Sequence, residues 1–308
     1  MKHARILAPA PIPGLLLGLA LIPFLALVSA TLPACGNLPL IPAQPADHWS
    51  GEVASFDGLP LAVQARGSGT PTLVFVHGWM CRASYWEPQL AAFAPTHRVV
   101  ALDLAGHGAS GHDREQWDIP TLARDVQAVV EQLDLHDVIL VGHSMGGPVS
   151  LVAAAAMPDR VVGVIGVDTL HDVEYEWDQE FMAGFMDSME ADFASTMQGF
   201  IGAMFSDPEL EVAQRLSADM LEADQRVGIG LMRSYESLDM SALLSASPVP
   251  VICINAAEPN PTKRDTNRKY LVSFDVVIME DVGHFLMMEV PEKFNEQLLA
   301  TIARFRQR

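Results

Sequence analysis

Short apolar runs alternate with segments of helical periodicity over most of the chain. The runs are rich in Val, Ile and Leu, and those without polar interruptions are typical of strands buried on both faces of a parallel sheet. The predicted strands are residues 53–56, 61–65, 72–76, 98–102, 138–141, 161–167, 249–255 and 274–279. Asp57-Gly58 predicts a hairpin turn between the first two strands.

Helices are predicted between the strands, at residues 84–93, 120–133, 149–157, 262–270 and 291–305. Ser84 is expected to cap the first of these helices, with Glu87 completing a capping box. The last helix begins with Pro291, a residue favoured in the first helical turn. The alternation predicts an α/β fold, with a mostly parallel central sheet and helices on both of its faces.

The alternation stops between residues 171 and 247, where no strand pattern occurs and acidic residues far outnumber basic ones. We predict that this segment is a helical lid (cap) inserted into a core of residues 51–170 and 248–308. Its methionines either pack the helices together or line a substrate pocket beneath the lid. They are Met182, Met186, Met189, Met197, Met204, Met220, Met232 and Met240.

The first 35 residues have the pattern of an export signal. Lys2 and Arg5 precede an apolar run over residues 6–28, and Leu32-Pro33-Ala34-Cys35 follows. This ending resembles the lipobox of bacterial lipoproteins, which implies lipidation at Cys35 and a membrane-anchored protein facing the periplasm or cell exterior. Ordinary secretion and an uncleaved anchor are the alternatives. Residues 36–50, rich in Pro and Ala, are predicted to be a linker.

Composition narrows the range of partners. The net charge is -19, which argues against nucleic acid because its phosphates require basic patches. It favours a neutral or cationic partner. Cys81 and Cys253 are expected to be buried free thiols, because the strands near them are not predicted neighbours and disulfide geometry is strict.

The strand at residues 138–141 runs into Gly142-His143-Ser144-Met145-Gly146, which a small-residue helix follows. A strand that turns this sharply into a helix requires glycine on both sides of the central residue, because Cβ atoms there would clash with the backbone. The turn places Ser144 at a helix N-terminus, where backbone N–H groups favour a developing negative charge. Ser144 is therefore the candidate nucleophile.

A serine nucleophile requires a base, a carboxylate that orients the base, and two donors for the oxyanion. Among ten histidines, His284 is the candidate base because it follows the last predicted strand in a loop. Glu258 and Asp168 both follow strands and are alternative acids. The backbone N–H groups of Trp79 and Met145 are the expected oxyanion donors. Structural roles are expected for His77 and His107, and His143, next to Ser144 in the turn, is expected to point elsewhere.

Four motifs in this order resemble α/β-hydrolase-fold enzymes of the lidded esterase and lipase-like type. They are His77-Gly78-Trp79, residues 103–110, Gly142-His143-Ser144-Met145-Gly146-Gly147 and Gly283-His284-Phe285. The resemblance implies that Ser144 is the nucleophile and His284 the base. That family usually has Gly followed by Asp after the strand at residues 249–255, whereas this chain has Ala256-Ala257-Glu258. Some relatives take the acid from the preceding strand end, here Asp168, so both acids stay open.

The resemblance implies a carboxylesterase-like serine hydrolase that acts on a small to medium ester with an apolar acyl or alcohol part. No metal or organic cofactor is expected, since no ligand cluster occurs in the sequence. A thioesterase, lactonase, C–C hydrolase or acyltransferase, a non-catalytic ligand-binding protein and a surface interaction protein are the alternatives. Dehalogenases and epoxide hydrolases are disfavoured, because they use Asp where this chain has Ser144.

Overall fold

The structure, a computed structural model, describes residues 48–305. The predicted signal segment, including Cys35, and most of the predicted linker lie outside these residues. The linker prediction was wrong at its end, because residues 48–50 pair with residues 64–66 and belong to the sheet. Within the described chain, no helix is long and apolar enough to cross a lipid bilayer.

An eight-stranded sheet forms the centre of the fold, as predicted from the apolar runs. The strands are β1 (His48–Ala54), β2 (Pro60–Arg66), β3 (Thr72–Val76), β4 (Val99–Leu102), β5 (Val138–His143), β6 (Val161–Val167), β7 (Val251–Ala256) and β8 (Asp275–Met279). Their order across the sheet is β1-β2-β4-β3-β5-β6-β7-β8. β2 pairs antiparallel with both β1 and β4. All other neighbouring strands, from β4 to β8, pair in parallel. The carboxyl ends of the parallel strands therefore meet at one edge, where ligands bind in such sheets.

The helices of the core lie where they were predicted but differ at their ends, and one short helix, α10, was not predicted. They are α1 (Glu87–Phe93), α2 (Ile119–Gln132), α3 (Gly146–Ala156), α9 (Arg264–Asn267), α10 (Leu286–Glu289) and α11 (Pro291–Phe305). A 3₁₀ turn (Ala83–Trp86) precedes α1, and the capping box predicted at Ser84 is absent. The Asp103 carboxylate, from the loop after β4, instead accepts the Ala83 N–H at 2.6 Å. This cap comes from a distant part of the chain, so local sequence does not reveal it.

Five helices occupy the segment between β6 and β7, which we name the helical insertion (residues 171–247). They are α4 (Gln179–Ala191), α5 (Phe193–Gly202), α6 (Glu211–Leu221), α7 (Gln225–Glu236) and α8 (Met240–Ser245). An Asp side chain accepts a backbone N–H at the start of four of them: Asp178, Asp192, Asp224 and Asp239. Part of the acidic excess in this segment therefore caps helices.

The two cysteines of the described chain are buried and unpaired, as expected. Cys81 follows β3 and Cys253 lies within β7. β5 and β6 separate these two strands in the sheet, which accounts for the free thiols.

Candidate active site

The turn between β5 and α3 is so tight that it requires glycine on both sides of Ser144. Ser144 has φ of 50°, in the left-handed region that costs energy for a residue with a side chain. A Cβ on Gly142 would lie 2.2 Å from the Gly146 carbonyl oxygen, and one on Gly146 would lie 2.4 Å from the Val76 oxygen. The backbone is thus too close at both positions for any residue except glycine. Ser144 is held by its N–H, which donates to the Val167 carbonyl at 2.9 Å.

The loop after β3 passes directly beside this serine. A Cβ on Gly78 would lie 3.2 Å from Cβ of Ser144, so the main chain at residues 78 and 79 borders the nucleophile. Trp79 is buried, and its indole N–H donates to the Gly228 carbonyl of α7 at 2.8 Å. The backbone N–H groups of Trp79 and Met145 donate no backbone hydrogen bond within residues 48–305. Their role as oxyanion donors stays a prediction.

The structure brings Asp168 to His284. Nδ1–H of His284 donates to Oδ2 of Asp168 at 2.6 Å. The other carboxylate oxygen of Asp168 accepts the Ala256 N–H at 2.8 Å, and the Asp168 N–H donates to the Ile254 carbonyl at 3.0 Å. Asp168 directly follows β6 and is thereby fixed against β7. Burial favours the neutral acid, but the hydrogen bond and the charge of His284 outweigh it, so the pKa of Asp168 is lowered.

Glu258 is not brought to His284. It lies two residues beyond β7, where the N–H of Ala257 donates to the Met279 carbonyl of β8 at 2.9 Å. Ala257 is thereby paired with the end of β8. Glu258 is exposed at the mouth of the cavity that Ser144 lines, and its carboxylate makes no hydrogen bond or ion pair with residues 48–305.

His77 and His107 each hold a loop near the site, and His143, expected to point elsewhere, lies in the cavity wall against His284. His77 accepts the Leu104 N–H at 2.9 Å, and His107 donates to the Ala105 carbonyl at 3.0 Å. His143 donates through Nε2 to the main-chain carbonyl of His284 at 2.9 Å. Burial lowers the pKa of His143 to about 3, so its ring is neutral at pH 7. His143 thus fixes the main chain of the candidate base beside the candidate nucleophile.

A second contact joins the His284 loop to the helical insertion. The His284 N–H donates to the Met204 carbonyl at 2.7 Å. One carboxylate oxygen of Glu289 accepts the N–H of Gly283 at 3.1 Å, the N–H of Ser206 at 3.3 Å, and the Ser206 hydroxyl. Sequence reasoning missed Glu289, because it lies in a short helix that was not predicted. The sequence spacing between His284 and Glu289 did not by itself indicate that Glu289 contacts the His284 loop.

Glu289→Gln is expected to lower kcat about tenfold with little change in KM, and to lower the free energy of unfolding by about 1–3 kcal/mol. An amide oxygen accepts less strongly than a carboxylate, so the His284 loop and the insertion are held less firmly. Steady-state kinetics and thermal unfolding measure both effects. Glu292→Gln, an exposed acid three residues away, is the matched control. Wild-type kcat in a folded Glu289→Gln protein would show that Glu289 does not position His284.

A cavity of about 900 Å³ contains Ser144, His284 and Asp168 in its wall. Trp79 and Phe285 from the core, and Phe200 and Phe205 from the insertion, make much of the remaining wall apolar. The methionines of the insertion fall into two groups. Met204, Met220, Met232 and Met240 line the cavity, whereas Met182, Met186, Met189 and Met197 are buried within the insertion. Some of these methionines therefore pack the helices together, and others line the cavity.

Known proteins resemble different lengths of this chain. A dihydrolipoyllysine-residue acetyltransferase component of an acetoin cleaving system from Pseudomonas putida is 28% identical over 260 residues, covering 77% of this chain and 65% of that protein. A 2-(acetamidomethylene)succinate hydrolase from Mesorhizobium japonicum is 31% identical over 130 residues, covering 42% and 46%. The chain thus spans less than two thirds of the length of either relative.

The fold has close structural counterparts. An esterase from Exiguobacterium antarcticum superimposes with a TM-score of 0.75 at 21% identity, covering 83% of this chain and 100% of that one. Residues 73–297 match the alpha/beta hydrolase family, and this range contains the turn at Ser144, the whole helical insertion and the His284 loop. On this match and the fold, the chain belongs to the alpha/beta hydrolase family.

Proposed function

We propose that the protein is a serine hydrolase that cleaves carboxylic esters through an acyl-Ser144 intermediate. The observation that carries the proposal is the His284–Asp168 hydrogen bond of 2.6 Å in the wall of the cavity that Ser144 also lines. A neutral serine is a weak nucleophile and needs a base, and the base needs a carboxylate to hold its tautomer. His284, with the Asp168 carboxylate bound to it, lies in the wall of the same cavity as Ser144, which supports these roles.

The residues suggest a two-step reaction. Nε2 of His284 takes the proton of Ser144 as Oγ attacks the ester carbonyl carbon, and the N–H groups of Trp79 and Met145 stabilise the oxyanion. His284 then gives that proton to the leaving alcohol oxygen, which leaves an acyl-Ser144 ester. In the second step His284 takes a proton from water, the hydroxide attacks the acyl carbon, and Ser144 is released with its proton restored.

An ester is favoured by the character of the cavity. Its apolar aromatic and methionine wall suits an apolar acyl or alcohol part, and a volume of about 900 Å³ suits a substrate of small to medium size. Much of that wall belongs to the helical insertion, which we propose acts as a lid. The names of the Mesorhizobium hydrolase and the Exiguobacterium esterase agree with hydrolysis. That the substrate is an ester is inferred from the apolar cavity and from Ser144.

Hydrolysis of p-nitrophenyl esters from acetate to laurate by the full-length chain tests the proposal. We expect turnover with an optimum at short to medium acyl length, because long chains exceed the cavity. Thermal unfolding of the same preparation establishes that it is folded. Folded protein that hydrolyses no ester of the series would overturn the ester hydrolase proposal.

A further inference from the structure

One part of the cavity wall adjoins the candidate acid Asp168. Residues 171–177 and 258–263 line it in part, and we name these two segments the outer wall. They contact each other through the Lys263 N–H, which donates to the His171 carbonyl at 2.7 Å. His171 Nε2 in turn lies 3.5 Å from Asp168. The outer wall therefore adjoins the acid that holds His284, and His284 is the group that would protonate the leaving alcohol.

Aromatic rings cluster at the outer wall. Tyr175 and Trp177 contact each other edge to face, with centroids 5.4 Å apart and an interplanar angle of 86°. Trp177 also contacts Tyr235 of α7, at 6.2 Å and 67°. All three rings line the cavity, and Tyr175, 61% exposed, lies at its mouth. Differently oriented aromatic faces attract a cation through their quadrupoles, most strongly when it carries methyl groups instead of a tight water shell.

The charges at this mouth are negative in sum. Nζ of Lys263 lies 2.8 Å from the Asp172 carboxylate, so its charge is compensated. The carboxylate of Glu258 has no ionic or hydrogen-bonding partner within residues 48–305. The helical insertion around them holds sixteen acidic and three basic residues. An anionic substrate is repelled from such a surface, and a cationic one is attracted.

Tyr235 remains an uncharged ring in this cluster. Burial raises the pKa of its hydroxyl to about 12, so no phenolate forms at neutral pH. The negative charge at the mouth thus comes from carboxylates, and the aromatic rings contribute their faces.

We propose that the outer wall is a subsite for an ammonium or quaternary ammonium group on the alcohol part of the ester. The inference rests on the proposed function, because it places the cationic group in the alcohol that His284 releases. The acyl part then lies against the apolar wall of Trp79, Phe200 and Phe205. Neutral esters also fit, but without the attraction of the rings and the Glu258 carboxylate.

A pair of esters of equal shape tests the subsite. Choline butyrate carries a trimethylammonium group, and 3,3-dimethylbutyl butyrate carries a tert-butyl group in the same place. We expect kcat/KM of the full-length chain to be about tenfold higher for choline butyrate. The difference should lie mainly in KM, since the contact is present in the bound substrate as well as in the transition state. An equal or lower value for the cationic ester, with the neutral ester hydrolysed, would overturn the subsite and leave the proposed function standing.

Substitutions in the outer wall should remove this preference. Trp177→Leu and Glu258→Gln are each expected to lower the ratio of the two kcat/KM values about threefold or more. Glu209→Gln is the matched control, because it removes the same charge from an exposed position of the insertion that does not line the cavity. Its ratio should equal that of the wild type. Retention of the full ratio by both outer-wall variants would contradict the assignment.

Binding without turnover separates the two proposals. Saturation-transfer NMR of tetramethylammonium chloride should show binding to the wild-type chain and weaker binding to Trp177→Leu. Such binding by a protein that hydrolyses no ester would support the cation subsite and overturn the hydrolase proposal. Equal signals from wild type and Trp177→Leu would overturn the subsite.

Discussion

Asp168→Asn is expected to lower kcat by about 10³–10⁴-fold, with KM within a few fold of the wild type. The Asp168 carboxylate accepts Nδ1–H of His284 at 2.6 Å and thereby keeps Nε2 free to take the Ser144 proton. An amide at this position can donate to Nδ1, which favours the opposite tautomer and leaves Nε2 protonated. The acid must also compensate the charge of His284 during reaction, and an amide does so only weakly. Steady-state hydrolysis of a p-nitrophenyl ester measures the loss.

Asp281→Asn is the matched control for this substitution, since Asp281 is an exposed acid in the His284 loop. It should retain kcat within a few fold. The contact with Ala256 is to a backbone N–H, which an amide oxygen still accepts, so Asp168→Asn should fold. If Glu258→Gln lowered kcat by orders of magnitude and Asp168→Asn did not, the role of the acid would move to Glu258.

Ser144→Ala is expected to lower kcat by at least about 10⁴-fold while the protein stays folded. The Ser144 hydroxyl oxygen is the only protein atom in the proposed mechanism that forms a bond to the acyl carbon. Alanine has the same Cβ as serine, so the strained φ of 50° is tolerated about equally well. Kinetics of the p-nitrophenyl ester series and thermal unfolding test the two parts of the prediction.

A covalent label gives an independent measurement. A fluorophosphonate should modify one serine per wild-type chain, and mass spectrometry of peptides should locate it at Ser144. Ser188→Ala, in an exposed position of the insertion, should be labelled like the wild type. Substantial ester hydrolysis by Ser144→Ala would exclude this serine as the nucleophile.

Local features of the chain predicted the centre of the fold well. The apolar runs placed β3 to β7 because strands buried on both faces admit few polar residues. The glycines around Ser144 predicted a tight turn from strand to helix, and the structure has backbone atoms within 2.4 Å of where their Cβ atoms would lie. Each of these inferences depends on residues close together in sequence. Steric clashes and burial constrain such neighbouring residues in the same way whatever the rest of the fold.

The helix at residues 84–93 shows where local inference ends. The capping box expected there is absent, because Asp103 from another loop caps the 3₁₀ turn. The methionines of the insertion illustrate the same limit. Their spacing did not show which of them face the cavity, since that depends on how five helices pack together.

The sequence by itself determined the α/β class, the nucleophile turn and the small set of histidines and acids at strand ends. Only the tertiary structure distinguished the two candidate acids, because it brings the carboxylate of Asp168 to Nδ1–H of His284, whereas Glu258 makes no hydrogen bond with that ring. Only the tertiary structure shows that the Glu289 carboxylate accepts from Ser206, 83 residues away in the sequence, as well as from Gly283 in the His284 loop. Such contacts depend on where separate strands and helices end in space. Neighbouring residues determine local geometry, but pairings between distant side chains exist only once the sheet and the insertion have packed.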